Sequence, residues 1–476
     1  MKRPPPAAAY RRGMTGQTTF SLRPIAATLA ATGLGFALIQ LDVTIVNVAL
    51  PRLGRALGAS VDMLQWVVDA YALVFAALLL SAGALGDRFG ARRVFRAGLG
   101  CFALASLGCG AAPGAAWLVA ARALQGIGAA AMLPSSLTLL NHACEGDARL
   151  RARAVGLWTA AGGVTIAAGP LIGGLLIAAA SWRTIFLVNL PLCLLGECLT
   201  LRVAETGRAA RAPHLDLAGQ ALAIVALVGG IGGVIESRPL GPLHPLVIGA
   251  AVLAAAGGAA FVRCEARGRA PMLPLDFFRL PGFAAAVGFG FVANLTYYGV
   301  VFVLTLYLQR TLGYGALAAG LAYLPLTATF IVSNVASGRI IGRFGTRRPM
   351  IVGALVAAAG YALLSGLDAR TAFLRMLPGF ALIPLGMGVA VPAMTTVVLS
   401  AVDKTASGIA AGVLNAARQA GGAVGVAAFG AFTGGRIVAG LHASVLAAAV
   451  AMVSAAGLAA WGIREAASAA LRVESG

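Results

Sequence analysis

Three ionisable side chains stand in stretches that are otherwise apolar: Asp42 in LIQLDVTIVNVALP (38–51), Asp69 in the segment after it, and Arg122 in RALQGIGAA. A low-dielectric environment favours the protonated form of a carboxylic acid. An acid so placed can hold a proton or, once deprotonated, a cation, but not both, and competition for one such site is the elementary step of an exchange reaction. An arginine nearby favours the charged form and stabilises it after the proton leaves. Two plainer readings stand beside this one: Asp42 simply neutralises Arg122 in a buried pair, and Asp69 lies close enough to a helix end to be solvated.

The elements that must position these groups follow from composition. Of 476 residues, 59% are hydrophobic and 11% charged, with 63 glycines; the mean hydropathy is +0.89. A water-soluble fold of this length needs far more surface charge, so the sequence predicts an all-α membrane protein. Apolar stretches long enough to cross a hydrocarbon core of about 30 Å fall near 26–50, 64–82, 94–112, 115–138, 154–178, 184–203, 217–235, 245–262, 283–308, 317–338, 349–367, 372–399, 407–432 and 440–462. That predicts fourteen spans. With the N-terminus placed in the cytoplasm, 26 of the 36 Lys and Arg fall in inner segments and 8 in outer loops. The remaining two, Arg122 and Arg418, lie inside spans. This skew predicts a multi-pass protein of the inner or plasma membrane with both termini cytoplasmic. The +20 net charge is thereby spent on loop ends and anionic lipid, which argues against nucleic-acid binding. Counted along the helices at about 1.5 Å per residue, Asp42 lies about 21 Å deep from the inner end, Asp69 about 8 Å and Arg122 about 9 Å from the outer ends. All three are at comparable height, where a lone charge is costly and faces a partner or a wet cavity.

The six cysteines (101, 109, 144, 193, 198, 264) form no CxxC pair and read as small buried apolar residues. The four histidines (142, 214, 244, 442) form no HExxH or nucleophile arrangement. No metal, no cofactor and no enzymatic activity are therefore expected. GALGDRFGARR (83–93) and GRIIGRFGTRR (338–348) match at Gly83/Gly338, Arg88/Arg343, Phe89/Phe344, Gly90/Gly345 and Arg92-Arg93/Arg347-Arg348. Duplicated helix bundles with the same element at the same turn would produce this. Asp87 could pair with an arginine or with the positive end of a neighbouring helix, whereas Gly342 fills its place in the second copy. Gly83, Asp87, Arg88, Gly90, Arg92 and Arg93 are thus the candidate gating residues.

The segment Gly83–Arg93 resembles, in full, the Gly-x-Leu-x-Asp-Arg-x-Gly-x-Arg-Arg loop of the major facilitator superfamily. RALQGIGAA (122–130) is similar to its fourth-span motif and GPLIGG (169–174) to its fifth-span exporter motif. LDVTIVNVALP (41–51), WRTIFLVNLP (182–191) and SGIAAGVLNAARQAGGAVG (407–425) resemble the fourteen-span drug/proton antiporters, so the resemblance covers about residues 26–462. It implies two six-helix bundles, 25–204 and 276–462, with two additional central helices in 205–275 and cytoplasmic tails at 1–24 and 463–476. It also implies proton-driven export of lipophilic, cationic small molecules, with the proton gradient in place of a cofactor and protons, substrates and the bilayer as partners. Asp42, Asp69 and Arg122 would couple proton and substrate. Gly169, Pro170, Gly173 and Gly174 would form the exporter kink, and Asn415, Arg418 and Gln419 would supply polar groups to the second bundle, as substrate or gate contacts or as helix-to-helix glue. An uptake symporter, a dedicated exporter of one metabolite or antibiotic, and a non-transporting receptor are the alternatives. The scarcity of polar cavity residues argues against nutrient uptake, and a receptor has no need of intramembrane acids. Substrate identity, proton stoichiometry and oligomeric state stay open.

Overall fold

The computed structural model describes residues 25–463 apart from 146, 207–215, 269–270, 404–405 and 435. The expected tails at 1–24 and 464–476 lie outside the described residues. Every apolar segment read from the sequence is helical here. Among the described residues, ten helices are long and apolar enough to cross a membrane, or eleven when the bent helix within 153–179 is counted as one span. That measure does not reach the fourteen expected, for identifiable reasons. Helix α3 (Ala91–Gly110) spends Arg92, Arg93 and Arg96 in its opening turns. The sixth segment is divided into α6 (Thr184–Leu187) and α7 (Asn189–Thr200). Helix α15 (Ser407–Phe432) carries Asn415, Arg418 and Gln419 near its middle.

Local signals set the helix ends. Ser60 caps α2 (Val61–Phe89) by accepting from the Met63 N–H at 3.3 Å, with Asp62 in the first turn, which suits the positive end of the helix dipole. Gly58, at φ 61°, ends α1 (Ala26–Leu57). Gly90, at φ 96°, makes the turn from α2 into α3. Its counterpart in the repeat, Gly345, at φ 73°, links α12 (Leu324–Phe344) to α13 (Arg347–Leu363). The two copies share further detail. Arg92 donates to the Thr200 and Leu201 carbonyls at the end of α7, both at 3.1 Å, and Arg347 donates to the Ala460 carbonyl near the end of α16 (Ile437–Gly462) at 2.5 Å. Each arginine satisfies carbonyls left open at the last turn of its own half's final helix. Arg88 and Arg343 each lie over the following phenylalanine ring, at 5.5 and 5.3 Å.

Small residues bring the helices close. Gly126 on α4 (Ala115–Ala143) packs against the α2 backbone at Tyr71, and Gly128 packs against Phe102 of α3. The outer surface is apolar, with Leu104, Trp117, Val450 and Trp461 among its exposed side chains, as a lipid-facing wall requires. Helix α8 (Leu217–Leu240) lies in the seam between α2 and α15, where Leu73, Ile231, Ile235, Ala423 and Ala427 form one small core. Its polar side chains hold α2: Gln220 donates to the Ala77 carbonyl at 2.7 Å, Glu236 accepts from the Trp66 indole at 3.0 Å, and Arg238 pairs with Asp62 at 3.5 Å. Helix α9 (Pro245–Arg267) packs on α8 and is otherwise mostly exposed.

The core is distributed differently at the two ends. Toward the turns at 83–93 and 338–348, α1 to α7 have a core of their own, including Ile39, Phe75, Phe95, Met132 and Trp158. Toward the opposite end, Ile45, Leu53, Leu64 and Ile185 merge with the core of the second half, around Phe302, Tyr307 and Leu441. The two halves are thus sealed together at the end away from the repeated turns.

Candidate functional site

Asp42 on α1 and Arg122 on α4 are 0% and 1% exposed and form a direct ion pair through Oδ2 and Nη1. Further hydrogen bonds surround the pair. Asp42 Oδ1 also accepts from Gln125 Nε2 at 3.2 Å and from Asn189 Nδ2 at 3.0 Å. Arg122 donates Nη1 to Gln125 Oε1 at 2.7 Å and Nε to the Val67 carbonyl at 3.1 Å. Ser106 of α3 receives the Gln125 and Asn189 amides at 2.7 and 3.2 Å. The guanidinium rests 4.4 Å over the Tyr71 ring and 6.0 Å from that of Phe186, a cation–π arrangement that strengthens when desolvated. Five side chains from four helices, α1, α3, α4 and α7, therefore make a polar network inside the first half. Asn189 and Ser106 were not singled out from the sequence; the asparagine's position within WRTIFLVNLP was the available signal.

Asp69, two turns into α2, is different. It is 0% exposed, yet neither carboxyl oxygen has a hydrogen-bond partner. It lines a cavity with Asn47, Tyr71, Arg122, Tyr298, Gln419 and Val426. The cavity therefore draws on α1, α2 and α4 of the first half, and on α10 (Phe283–Leu306) and α15 of the second. Asn47 and Tyr298 also line an adjoining cavity with Tyr297, Tyr323 and Pro170, which carries no charged residue. The sequence's alternative of a solvated Asp69 does not describe this position. What the arrangement offers is one unengaged acid in an aromatic, mostly neutral wall that also includes Arg122, the cationic member of a hydrogen-bonded ion pair.

The remaining candidates sit elsewhere. Pro170 lies inside α5 (Ala148–Ala179), which bends by 44° between 153–166 and 168–179. A methyl group added at Gly169 would strike Thr44, one at Gly173 would stand 3.0 Å from the Ile45 carbonyl, and one at Gly174 would stand 2.8 Å from the Ala316 carbonyl. The glycines thus let α5 touch α1 on one side and, across the seam, α11 (Ala316–Ala322) on the other. In α15, Gln419 faces the cavity and Arg418 Nε donates to Asn294 Oδ1 at 3.3 Å. Asn415 is half-buried on the same helix. Gly83 packs near Pro134. Arg93 pairs with Glu205 at 3.6 Å with both side chains well exposed, an interaction of little energetic weight. Of the two partners offered for Asp87, the arginine is not taken: among the described residues this exposed carboxylate has no ion pair. Two glutamines that the sequence reading passed over span the seam at the closed end. Gln65 donates to the Val426 and Ala427 carbonyls at 3.0 and 2.8 Å, and Gln309, in a π-helical turn, donates to the Val48 carbonyl at 2.8 Å.

Gly90 gives a first measurable consequence. Its φ of 96° is outside the range of ordinary L-residues, and an added Cβ would stand 2.6 Å from Glu205 Oε1. Gly90→Ala should lower stability by about 1–3 kcal/mol, read as a drop in the melting temperature of the purified protein. Gly100→Ala, at a helical glycine with open space around it, should not lower it.

Comparison with known proteins agrees with this architecture. The Major Facilitator Superfamily profile matches residues 32–426. The chain is 38% identical over 403 residues to the multidrug resistance protein Stp of Mycobacterium tuberculosis (85% of this chain, 75% of the relative). It is 38% identical over 408 residues to the methylenomycin A resistance protein of Streptomyces coelicolor (86% and 85%), and 41% identical over 406 residues to the puromycin resistance protein pur8 of Streptomyces alboniger (82% and 78%). Among solved structures it resembles the inward-open xylose transporter XylE from E. coli, with TM-score 0.64, 16% identity and coverage of 92% of this chain and 96% of that one. The chain therefore belongs to the Major Facilitator Superfamily and is a membrane transporter, not an enzyme.

Proposed function

We propose that the protein exports lipophilic, drug-like small molecules, cationic ones among them, across the plasma membrane in exchange for protons. The observation that carries this reading is Asp69, a buried acid with both oxygens unengaged in the wall of a cavity shared by the two halves. It can be occupied by a proton or by a cation but not by both, and the cavity, about 20 Å³ here, has to widen to admit a drug-sized molecule between its tyrosines. Relatives named for resistance to methylenomycin A, puromycin and multiple drugs support the direction of transport. The charge skew supports placing the repeated turns and both termini in the cytoplasm, which puts the sealed end outward.

Accumulation of a panel of dyes and antibiotics in cells with and without the protein tests this. Several structurally distinct cations should accumulate less in expressing cells, and an uncoupler should erase the difference. Higher accumulation in expressing cells would replace export with proton-coupled uptake, and a response to one compound alone would replace the broad range with a dedicated exporter.

A further inference from the structure

The two arginines inside the membrane-spanning helices are satisfied very differently. Arg122 has a carboxylate, a glutamine, a backbone carbonyl and two aromatic rings. Arg418 forms no ion pair among the described residues, and its one hydrogen bond is the long contact from Nε to Asn294. Its stem packs across Gly290 of α10, where an added Cβ would stand 3.2 Å from Arg418 Cγ, so the side chain is held between α10 and α15. It is half-buried rather than enclosed, and it lies beside the cavity rather than in its wall, next to Gln419 and one turn from Gly422, which line it together with Tyr298. A guanidinium does not shed its charge at any physiological pH. Placed at mid-helix it requires a counter-charge or water, and its terminal nitrogens form a planar fork matched to an oxyanion.

We propose that Arg418 is an anion-recognising subsite of the cavity, which seats an acidic group of the transported molecule: a carboxylate, phenolate or enolate. Asn294 orients the guanidinium through Nε and leaves the fork formed by Nη1 and Nη2 for the ligand. The substrate range then extends from lipophilic cations to lipophilic acids and zwitterions, with the cationic end toward Asp69 in the first half and the acidic end on α15 in the second. This rests on the reading of the cavity as the transport site.

Two xanthene dyes of similar ring system and opposite charge, fluorescein and rhodamine 6G, provide the test. Binding to the purified chain in nanodiscs of zwitterionic lipid is read by fluorescence anisotropy. Arg418→Gln should weaken fluorescein binding at least tenfold and leave rhodamine 6G binding unchanged or tighter, which also reports that the variant is folded. Arg418→Lys, which keeps the charge and loses the fork, should weaken fluorescein several-fold and serves if the glutamine variant does not fold. Absence of fluorescein binding to the wild-type chain, equal binding to the wild type and both variants, or parallel loss of both dyes would overturn the subsite. Because binding is read without transport, Arg418-dependent fluorescein binding in a protein that fails the accumulation assay would count against export alone.

Discussion

Asp69→Asn is expected to insert and fold like the wild-type chain and to lose active efflux of a cationic dye by at least tenfold. The expectation of normal folding comes from what the carboxyl does not do: it makes no hydrogen bond and no ion pair, so its amide isostere forfeits no native contact. The loss of activity comes from the proposed exchange, because an amide can neither carry a proton nor hold a cation. Initial efflux rates from energised cells, set against the amount of protein in the membrane, check it; wild-type rates would remove Asp69 from the coupling step. The geometry also bears on stoichiometry. Asp42 already accepts from Arg122, Gln125 and Asn189, which leaves Asp69 as the acid free to exchange. Under the proposed exchange, one proton entering per monovalent cation leaving would move no net charge, and the pH gradient alone, worth about 1.4 kcal/mol per unit, would drive the cycle. In proteoliposomes with the potential clamped by valinomycin, efflux of a monovalent cation should then be indifferent to voltage. A dependence near 2.3 kcal/mol per 100 mV would point to a second exchanging proton.

Much of this was legible in the sequence because a bilayer imposes simple rules. Helices were placed by runs of apolar residues, and the common depth of Asp42 and Arg122 by counting along them, so the two could be expected to meet. Their partners were another matter. Gln65, Gln309, Ser106 and Asn189 each announce only that a polar group is buried; which carbonyl or carboxylate it meets depends on the rotation of one helix against another, set by contacts such as Gly126 on the Tyr71 backbone. The fourteen-span count met a related limit. Helices α3 and α15 trade hydropathy for polar side chains, three arginines in the opening turns of α3 and Asn415, Arg418 and Gln419 near the middle of α15, of which Arg92 and Arg418 bond to neighbouring helices. The repeat is legible as the same element at the same turn of two bundles, but the positive φ that Gly90 and Gly345 share is a backbone conformation the sequence reading did not assign to either. Asp87 makes no ion pair among the described residues, while its neighbours Arg88 and Arg93 lie against Phe89 and Glu205.

Asp42 and Arg122 should behave as a unit in a way that Asp69 does not. Asp42→Asn leaves the guanidinium buried without its counter-charge, and removing one partner of a buried pair costs about 3–5 kcal/mol. Two amide donors, from Gln125 and Asn189, would also face a side chain with half the accepting capacity. Arg122→Gln strands the carboxylate and should be similarly damaging. The double variant Asp42→Asn/Arg122→Gln removes both charges together, so its cost should fall well below the sum of the two single ones, a coupling of up to about 3 kcal/mol. Melting temperature and the yield of monodisperse protein in detergent give the stability side of the cycle, and dye efflux gives the functional side. Recovery of stability with efflux also restored would make the pair a structural clamp and leave coupling to Asp69. Recovery of stability with efflux still absent would mean that the charges themselves are needed in transport, by fixing Tyr71 beneath the guanidinium at the wall of the cavity. Strictly additive losses would show that the two side chains act independently despite their contact, and the clamp would have to be abandoned.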